Sequence, residues 1–433
     1  MRLSLLAFAL AAAASAQPAA DTALVRAHVS ALASQTFRNA SGALPYPYLV
    51  PAGPYSEQWD WDSLFMGVAL ASYGGAPYFE GTFLNFLHAT NLSTGELPGC
   101  LTPQGPSKTL YHAKPVIIQG ALLAARQTGN FSAFLPHADA MRALLRYWNS
   151  STRLHAPTGL HVWHDQLETG ADNLVLSQCP SQFSPECWSA AQAYTLSSPD
   201  VMVWLAREYQ AYALFLAAWG ALGGAGPSAR GLYARSAGAE AAGARAYAAR
   251  LADVTQARLW RWLDAPANTR GMYVGYNVST GAQSVHATYL AAWPLWAGLA
   301  ASPAVAAAAL ARLQEADLWT PFGLRSVSSA DPRYNNDDII TPYSNWRGPV
   351  WVNVGAVMAY TLRAQGQGAA AAALADALVH TLAQDLRATG TWHEAYSSAN
   401  GSGLAAPGFL SWDTIAADLQ ENVARGVDPF VLE

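Results

Sequence analysis

The chain has 433 residues, of which 12% are charged and 52% hydrophobic, with a formal net charge of −5. That balance supplies material for a large core and argues against disorder. It offers no basic face, which argues against a nucleic-acid partner, because phosphate binding needs clustered Lys and Arg.

The first residues read as a targeting segment. Met1-Arg2 gives a positive start, Leu3 to Ala14 an apolar run and Ala14-Ser15-Ala16 a small-residue cleavage pattern, so residues 1–16 are expected to be a secretory signal peptide. The apolar run is too short to span a bilayer, and no membrane association of the mature chain is expected. Asn-x-Ser triplets at Asn39, Asn91, Asn130, Asn149, Asn277 and Asn400 agree with a secreted glycoprotein. Of the three cysteines, Cys179 and Cys187 are spaced to close a short loop in an oxidising compartment, with Cys100 outside it. No Cys/His spacing suggests zinc, and no cofactor is expected.

Apolar residues recur at helical spacing near 22–35, 61–72, 80–90, 115–127, 134–149, 199–222, 228–262, 288–299, 302–313, 348–365, 368–387 and 411–423. The Ala-rich tracts 237–251 and 369–386 favour close-packed helices. Strand signals are sparse, and Gly271 to Val278 reads as hairpin arms between helices. Twelve helices without a fixed-period repeat predict six antiparallel pairs closed into an all-α toroid, an (α/α)6 barrel with short β-hairpins in its loops, over residues 17–433 as one domain.

The chemistry-bearing residues fall in loops between bland helices, as expected where a rigid scaffold positions a site. Tyr55 to Phe65 (YSEQWDWDSLF) puts Asp62 at a helix start, where a carboxylate is favoured electrostatically. Its other reading is a hydrogen-bond acceptor for sugar hydroxyls, walled by Tyr55, Trp59 and Trp61. The only two lysines, Lys108 and Lys114, lie in KTLYHAKP, where they read as a surface pair or as a cation set among Tyr111 and His112 that suits an anionic group; His112 itself reads as a packing histidine.

In ETGADN, Asp172 has few neighbouring cations. Buried beside tryptophans it would hold its proton near neutral pH, although the Asp-Asn pair equally suits a turn and Glu168 is an alternative acid. Asn335 to Asp338 reads as a solvated turn or a loose Ca²⁺ site. In Tyr343 to Trp351 (YSNWRGPVW), Trp346 and Arg347 stand before a helix that Pro349 is placed to open, and the pair suits gripping hydroxyls or a carboxylate. Glu394, between His393 and Tyr396, is a candidate base, and Trp412 stands at the start of the last helix.

WDWDSLF, ETGADN, TPFGLRSVS, YSNWRGPVWVN and EAYSSANGSG…GFLSWD, in that order, resemble the motifs of glycoside hydrolase family 63, and most closely its compact mannosylglycerate and glucosylglycerate hydrolases. The resemblance covers nearly all of the mature chain. It implies an (α/α)6 barrel that cleaves α-glycosidic bonds with inversion, Asp172 being the general acid and Glu394 the general base. It further implies that Tyr55, Trp59, Trp61, Asp62, Trp346 and Arg347 meet substrate; Lys114 and Trp412 are added as substrate-binding candidates from their own positions, the cation suiting a glycerate carboxylate. The chain departs from the family where Thr169, Ala171 and Leu174 replace Ser, Met and Ser around the acid, and where Lys114 stands in place of a frequent Gln.

The expected activity is therefore hydrolysis of a small α-glycoside, α-mannosylglycerate or α-glucosylglycerate first. A secreted α-glucosidase on neutral glucosides or oligosaccharides, or a silent carbohydrate-binding toroid, are the alternatives. Inversion requires the two carboxyls to stand roughly 6.5–9.5 Å apart, with room for a water between.

Overall fold

The structure, a computed structural model, describes residues 18–174, 193–221, 230–340 and 344–433. The predicted signal peptide, the loop carrying Cys179 and Cys187, Tyr343 and the side chain of Lys108 lie outside the described residues.

Among the described residues there are twelve α-helices: α1 (residues 18–32), α2 (Asp60–Leu70), α3 (Ala76–Ala89), α4 (Ile117–Thr128), α5 (Ala138–Trp148), α6 (Pro199–Ala221), α7 (Arg230–Leu259), α8 (Ala292–Trp296), α9 (Pro303–Leu313), α10 (Val352–Ala364), α11 (Gly368–Thr389) and α12 (Ala416–Arg425). The even-numbered helices form an inner ring. In it α2 packs on α4, α4 on α6, α6 on α8, α8 on α10 and α10 on α12, and the helical turn Ser411–Ile415 closes the circle against α2. Outside it α3 covers α2 and α4, α7 covers α6, α9 covers α8, and α11 covers α10 and α12. On α1, Arg26 binds the Ala417 carbonyl of α12, and Asp21 accepts from His380 of α11. The result is the (α/α)6 barrel that the twelve segments predict.

Composition explains the two rings. The inner helices α2 and α10 have almost no solvent face: every residue from Val352 to Leu362 of α10 is buried, as is nearly all of α2. The outer α5 keeps a charged face carrying Asp139, Arg142 and Arg146 beside its buried Met141, Leu144 and Leu145, the stripe expected of a helix covering a core. Inner glycines admit aromatic rings from α3. A Cβ at Gly67 would strike Phe79, and one at Gly120 would strike Phe83. After α12 the chain turns back into the ring, where Phe430 packs on Phe65 and Arg207 donates to its carbonyl at 2.6 Å.

The predicted hairpins are present. Gly271–Tyr273 pairs with Trp260–Trp262, and Tyr276–Asn277 pairs with Ala282–Gln283. One expectation fails at Pro349, which does not open a helix. The next residue, Val350, is drawn into extended pairing with Tyr396, their N–H groups donating reciprocally at 2.7 and 2.9 Å, and α10 starts only at Val352.

Candidate active site

A hollow of about 190 Å³ is lined by Tyr55, Trp59, Trp61, Asp62, Lys114, Asp172, Glu394 and Trp412. These residues come from the loop before α2, the first turn of α2, the loop before α4, the turn after Glu168, the loop after α11 and the helical turn Ser411–Ile415. Trp61 carries the floor. Its ring meets Trp412 edge-on at 5.7 Å and rests on Phe65 at 6.3 Å, and Phe65 in turn rests on Phe430.

The segment from Ser344 to Val350 fixes the two candidate catalytic carboxyls. At one end it is laced to Asp172 and Asn173. The Ser344 N–H donates to Asp172 Oδ2 at 3.0 Å, the Trp346 N–H to Asn173 Oδ1 at 2.6 Å and Arg347 Nε to the Asn173 carbonyl at 2.7 Å. Asn173 returns a bond to Asn345 Oδ1 at 3.3 Å. At the other end the Val350–Tyr396 pairing anchors the strand next to Glu394. Ser344 then reaches across, its hydroxyl donating to Glu394 Oε1 at 3.0 Å, while the Tyr55 hydroxyl donates to Glu394 Oε2 at 2.9 Å.

Electrostatically the pocket, among the described residues, is a cluster of acids around one ammonium. Burial pushes the Glu394 carboxyl up to about 8, against the donors Tyr55 and Ser344, with the charges of Asp172 and Asp62 adding to the rise. Burial likewise lifts Asp62 to about 7, opposed by the Ser411 hydroxyl at 2.8 Å and by Lys114, and reinforced by Asp60. Lys114 Nζ binds Asp60 Oδ1 at 3.2 Å and lies 5.3 Å from the centre of the Trp61 ring. Asp60 also accepts the N–H groups of Lys114 and Trp61, so its carboxylate is satisfied at full burial. Gly170 makes this packing possible: its φ is +81°, and a Cβ there would stand 2.5 Å from Lys114 Cε and 3.0 Å from Trp61 Cζ2.

Glu168, the alternative acid, is held as a carboxylate. It is buried, yet both Arg153 nitrogens reach it, at 2.6 and 2.5 Å, and it accepts the N–H groups of His112 and His164 at 2.9 and 2.5 Å. The guanidinium and these donors outweigh burial and lower its pKa, so it pins the loop that carries Asp172. His112 stacks on Tyr147 at 3.8 Å, and burial pushes it down to about 4, in keeping with a packing histidine.

Trp346 and Arg347 lie behind the pocket wall and not in its lining. Trp346 stacks on Trp351 at 3.7 Å and 7°, and Arg347 Nε is committed to the Asn173 carbonyl. The polar cluster 335–338 is a brace. Asn335 Oδ1 and the Asp337 carbonyl accept from Asn345, Asn336 Oδ1 accepts the Ser398 N–H, and Asp338 Oδ1 accepts the Ala405 N–H. No group of three or more His, Cys, Asp or Glu that could hold a metal is found among the described residues. Sequence reasoning passed over Ser344 and Gly170, both in the lining, and named Tyr111, also in the lining, only as a neighbour of the cation.

An (α/α)6 barrel holding paired carboxyls in an aromatic pocket defines a glycoside hydrolase. Residues 55–412 match the family model described as the mannosylglycerate hydrolase MGH1-like glycoside hydrolase domain, and the chain belongs to that family. Among solved structures it is similar to the GH63 mannosylglycerate hydrolase from Thermus thermophilus in complex with glucose, with TM-score 0.64, 20% identity, and coverage of 89% of this chain and 97% of that one. The same enzyme in complex with Tris and D-glycerate gives TM-score 0.61 and 19% identity, covering 92% of this chain and 100% of that one. Neutral trehalase from Saccharomyces cerevisiae gives 0.62 and 16%, covering 89% of this chain and 77% of that one. A probable mannosyl-oligosaccharide glucosidase of Schizosaccharomyces pombe is 25% identical over 146 residues, 31% of this chain and 18% of that relative's length.

Proposed function

We propose that the chain is an inverting α-glycosidase of small α-glycosides, α-mannosylglycerate or α-glucosylglycerate first, with Asp172 as general acid and Glu394 as general base. The observation that carries this reading is that both carboxyls open on one pocket and are held there by the same short segment. Asp172 gives its proton to the glycosidic oxygen as the bond from that oxygen to the anomeric carbon breaks. A water attacks the anomeric carbon from the opposite face and loses its proton to Glu394. Exchange with solvent then returns the proton to Asp172 and removes it from Glu394. The productive state needs one proton on the pair. With it on Asp172, the charge that helps lift Glu394 is gone and the base ionises more readily.

Among the described residues Lys114 is the one ammonium in the lining, and an aglycone carboxylate is its natural partner. Bound D-glycerate in the Thermus relative supports that choice. A neutral aglycone is favoured by a different observation: Asp60 already neutralises Lys114. Proton NMR of the products from α-mannosyl and α-glucosyl derivatives of glycerate and of glycerol tests both readings. Release of the β-anomer first, with the glycerate glycosides faster, is the expected result. Release of the α-anomer first would overturn inversion, and faster glycerol glycosides would select the neutral reading.

A further inference from the structure

We propose that Ser344 is the positioning residue of this pocket, tying Asp172 to Glu394 and setting how their one proton is divided. The proposal rests on the acid and base roles given above. Its backbone and side chain do different things. The Ser344 N–H is fixed on Asp172 Oδ2 at 3.0 Å by the lacing of Asn345, Trp346 and Arg347 to Asn173, and any residue but proline at this position retains that donor. The hydroxyl, donated to Glu394 Oε1 at 3.0 Å, belongs to serine or threonine alone.

A hydroxyl facing a buried carboxyl favours its ionised form, which is the form a base requires. Tyr55 gives the second such donor, on Oε2. The titratable groups that bear on Glu394 are Tyr55, Asp62 on α2, Asp172 and, from behind, Asp413, whose own carboxyl accepts the Tyr396 hydroxyl at 3.0 Å; the nearest ammonium in the lining, on Lys114, is engaged by Asp60. Against that acidic surrounding the two neutral hydroxyls favour the ionised form of Glu394 that a base requires. Ser344 is the one of the two that also holds the acid.

The test is carboxyl NMR on the full chain carrying isotope-labelled glutamate, with the Glu394 resonance identified by its loss in Glu394→Gln. In Ser344→Ala the Glu394 midpoint is expected to rise by about one pH unit, the scale of one hydrogen bond to a charged group. Ser344→Thr is expected to restore it, and the acidic limb of kcat/KM is expected to move with the NMR midpoint. Ser344→Cys, a weak donor of similar shape, shifts the midpoint in the same direction and serves if the alanine variant does not fold. A midpoint unmoved in Ser344→Ala, or equally raised in Ser344→Thr, overturns the role of Ser344. Near-normal turnover in Glu394→Gln sinks the acid and base assignment instead, and leaves the NMR result standing.

Discussion

Asp172 and Glu394 are bridged by one residue, whose N–H donates to the first and whose hydroxyl donates to the second, both at 3.0 Å. The two carboxyls also sense each other, since the charge of Asp172 is among the causes that raise Glu394 to about 8. Asp172→Asn therefore has two expected consequences. Turnover falls at least about a hundredfold, the scale of losing a general acid. The Glu394 midpoint moves down, because a neighbouring negative charge has gone. Rapid-quench kinetics reads the first and carboxyl NMR the second. A Glu394 midpoint that does not fall in the variant would mean that the two groups titrate independently.

Much of this pocket is legible in the sequence because its chemistry is concentrated in few residue types. Carboxyls set among aromatic residues, as at Asp62 and Glu394, mark candidate site loops in the sequence, while their burial comes only from the fold. Trp346 and Arg347 show the limit. An arginine between indoles has the same pattern whether it faces a sugar or a core, and here Trp351 claims the Trp346 ring and the Asn173 carbonyl claims Arg347 Nε. Ser344 gave no signal at all, since a hydroxyl acquires its role only from the two loops that folding brings to either side. Pro349 misled for a related reason: a helix-opening proline is a local preference, and the long-range pairing of Val350 with Tyr396 overrides it.

Lys114 and Asp60 form a buried pair, and removing one partner strands the other. Lys114→Met is expected to destabilise the protein by about 3 kcal/mol, near the low end for breaking such a pair, because Asp60 retains two backbone donors. Lys114→Met with Asp60→Asn should recover most of that loss, since neither charge is then left alone. Urea unfolding compares the three proteins. The same single variant separates the substrate readings. A KM rise of about tenfold confined to the glycerate glycoside fits a carboxylate held by Lys114, about 1.4 kcal/mol in binding. An equal rise on the glycerol glycoside would sink that contact.

Gly170 sits where the chain has φ of +81° and where Lys114 and Trp61 leave no room for a methyl group. Gly170→Ala combines a left-handed backbone penalty of about 1–2 kcal/mol with a push on the Lys114 stem. KM is expected to rise more than kcat falls, because the intrusion narrows the pocket while Asp172 and Glu394 keep their donors from Ser344. Steady-state kinetics on the hydrolysed glycoside decides. Unchanged KM with a lower melting temperature would mean that Gly170 serves the turn alone.

Glu208 offers a test of the barrel apart from its pocket. From α6 it caps the start of α4, accepting the N–H groups of Ile118 and Gln119 at 2.9 Å each, and burial lifts its carboxyl from 4.5 to about 7 despite those donors. Between these two values the folded protein holds a proton on Glu208 that the unfolded chain has released. Its contribution to stability is therefore fully present below 4.5 and is lost as pH rises to about 7, at a slope of up to about 1.4 kcal/mol per pH unit. Glu208→Gln keeps one acceptor oxygen for α4 and cannot titrate. The stability difference, wild type minus variant, should fall steadily across that window and level off above it. Urea unfolding of both proteins at a series of pH values measures this. A difference that stays flat would show that Glu208 holds the same charge in the folded and the unfolded chain.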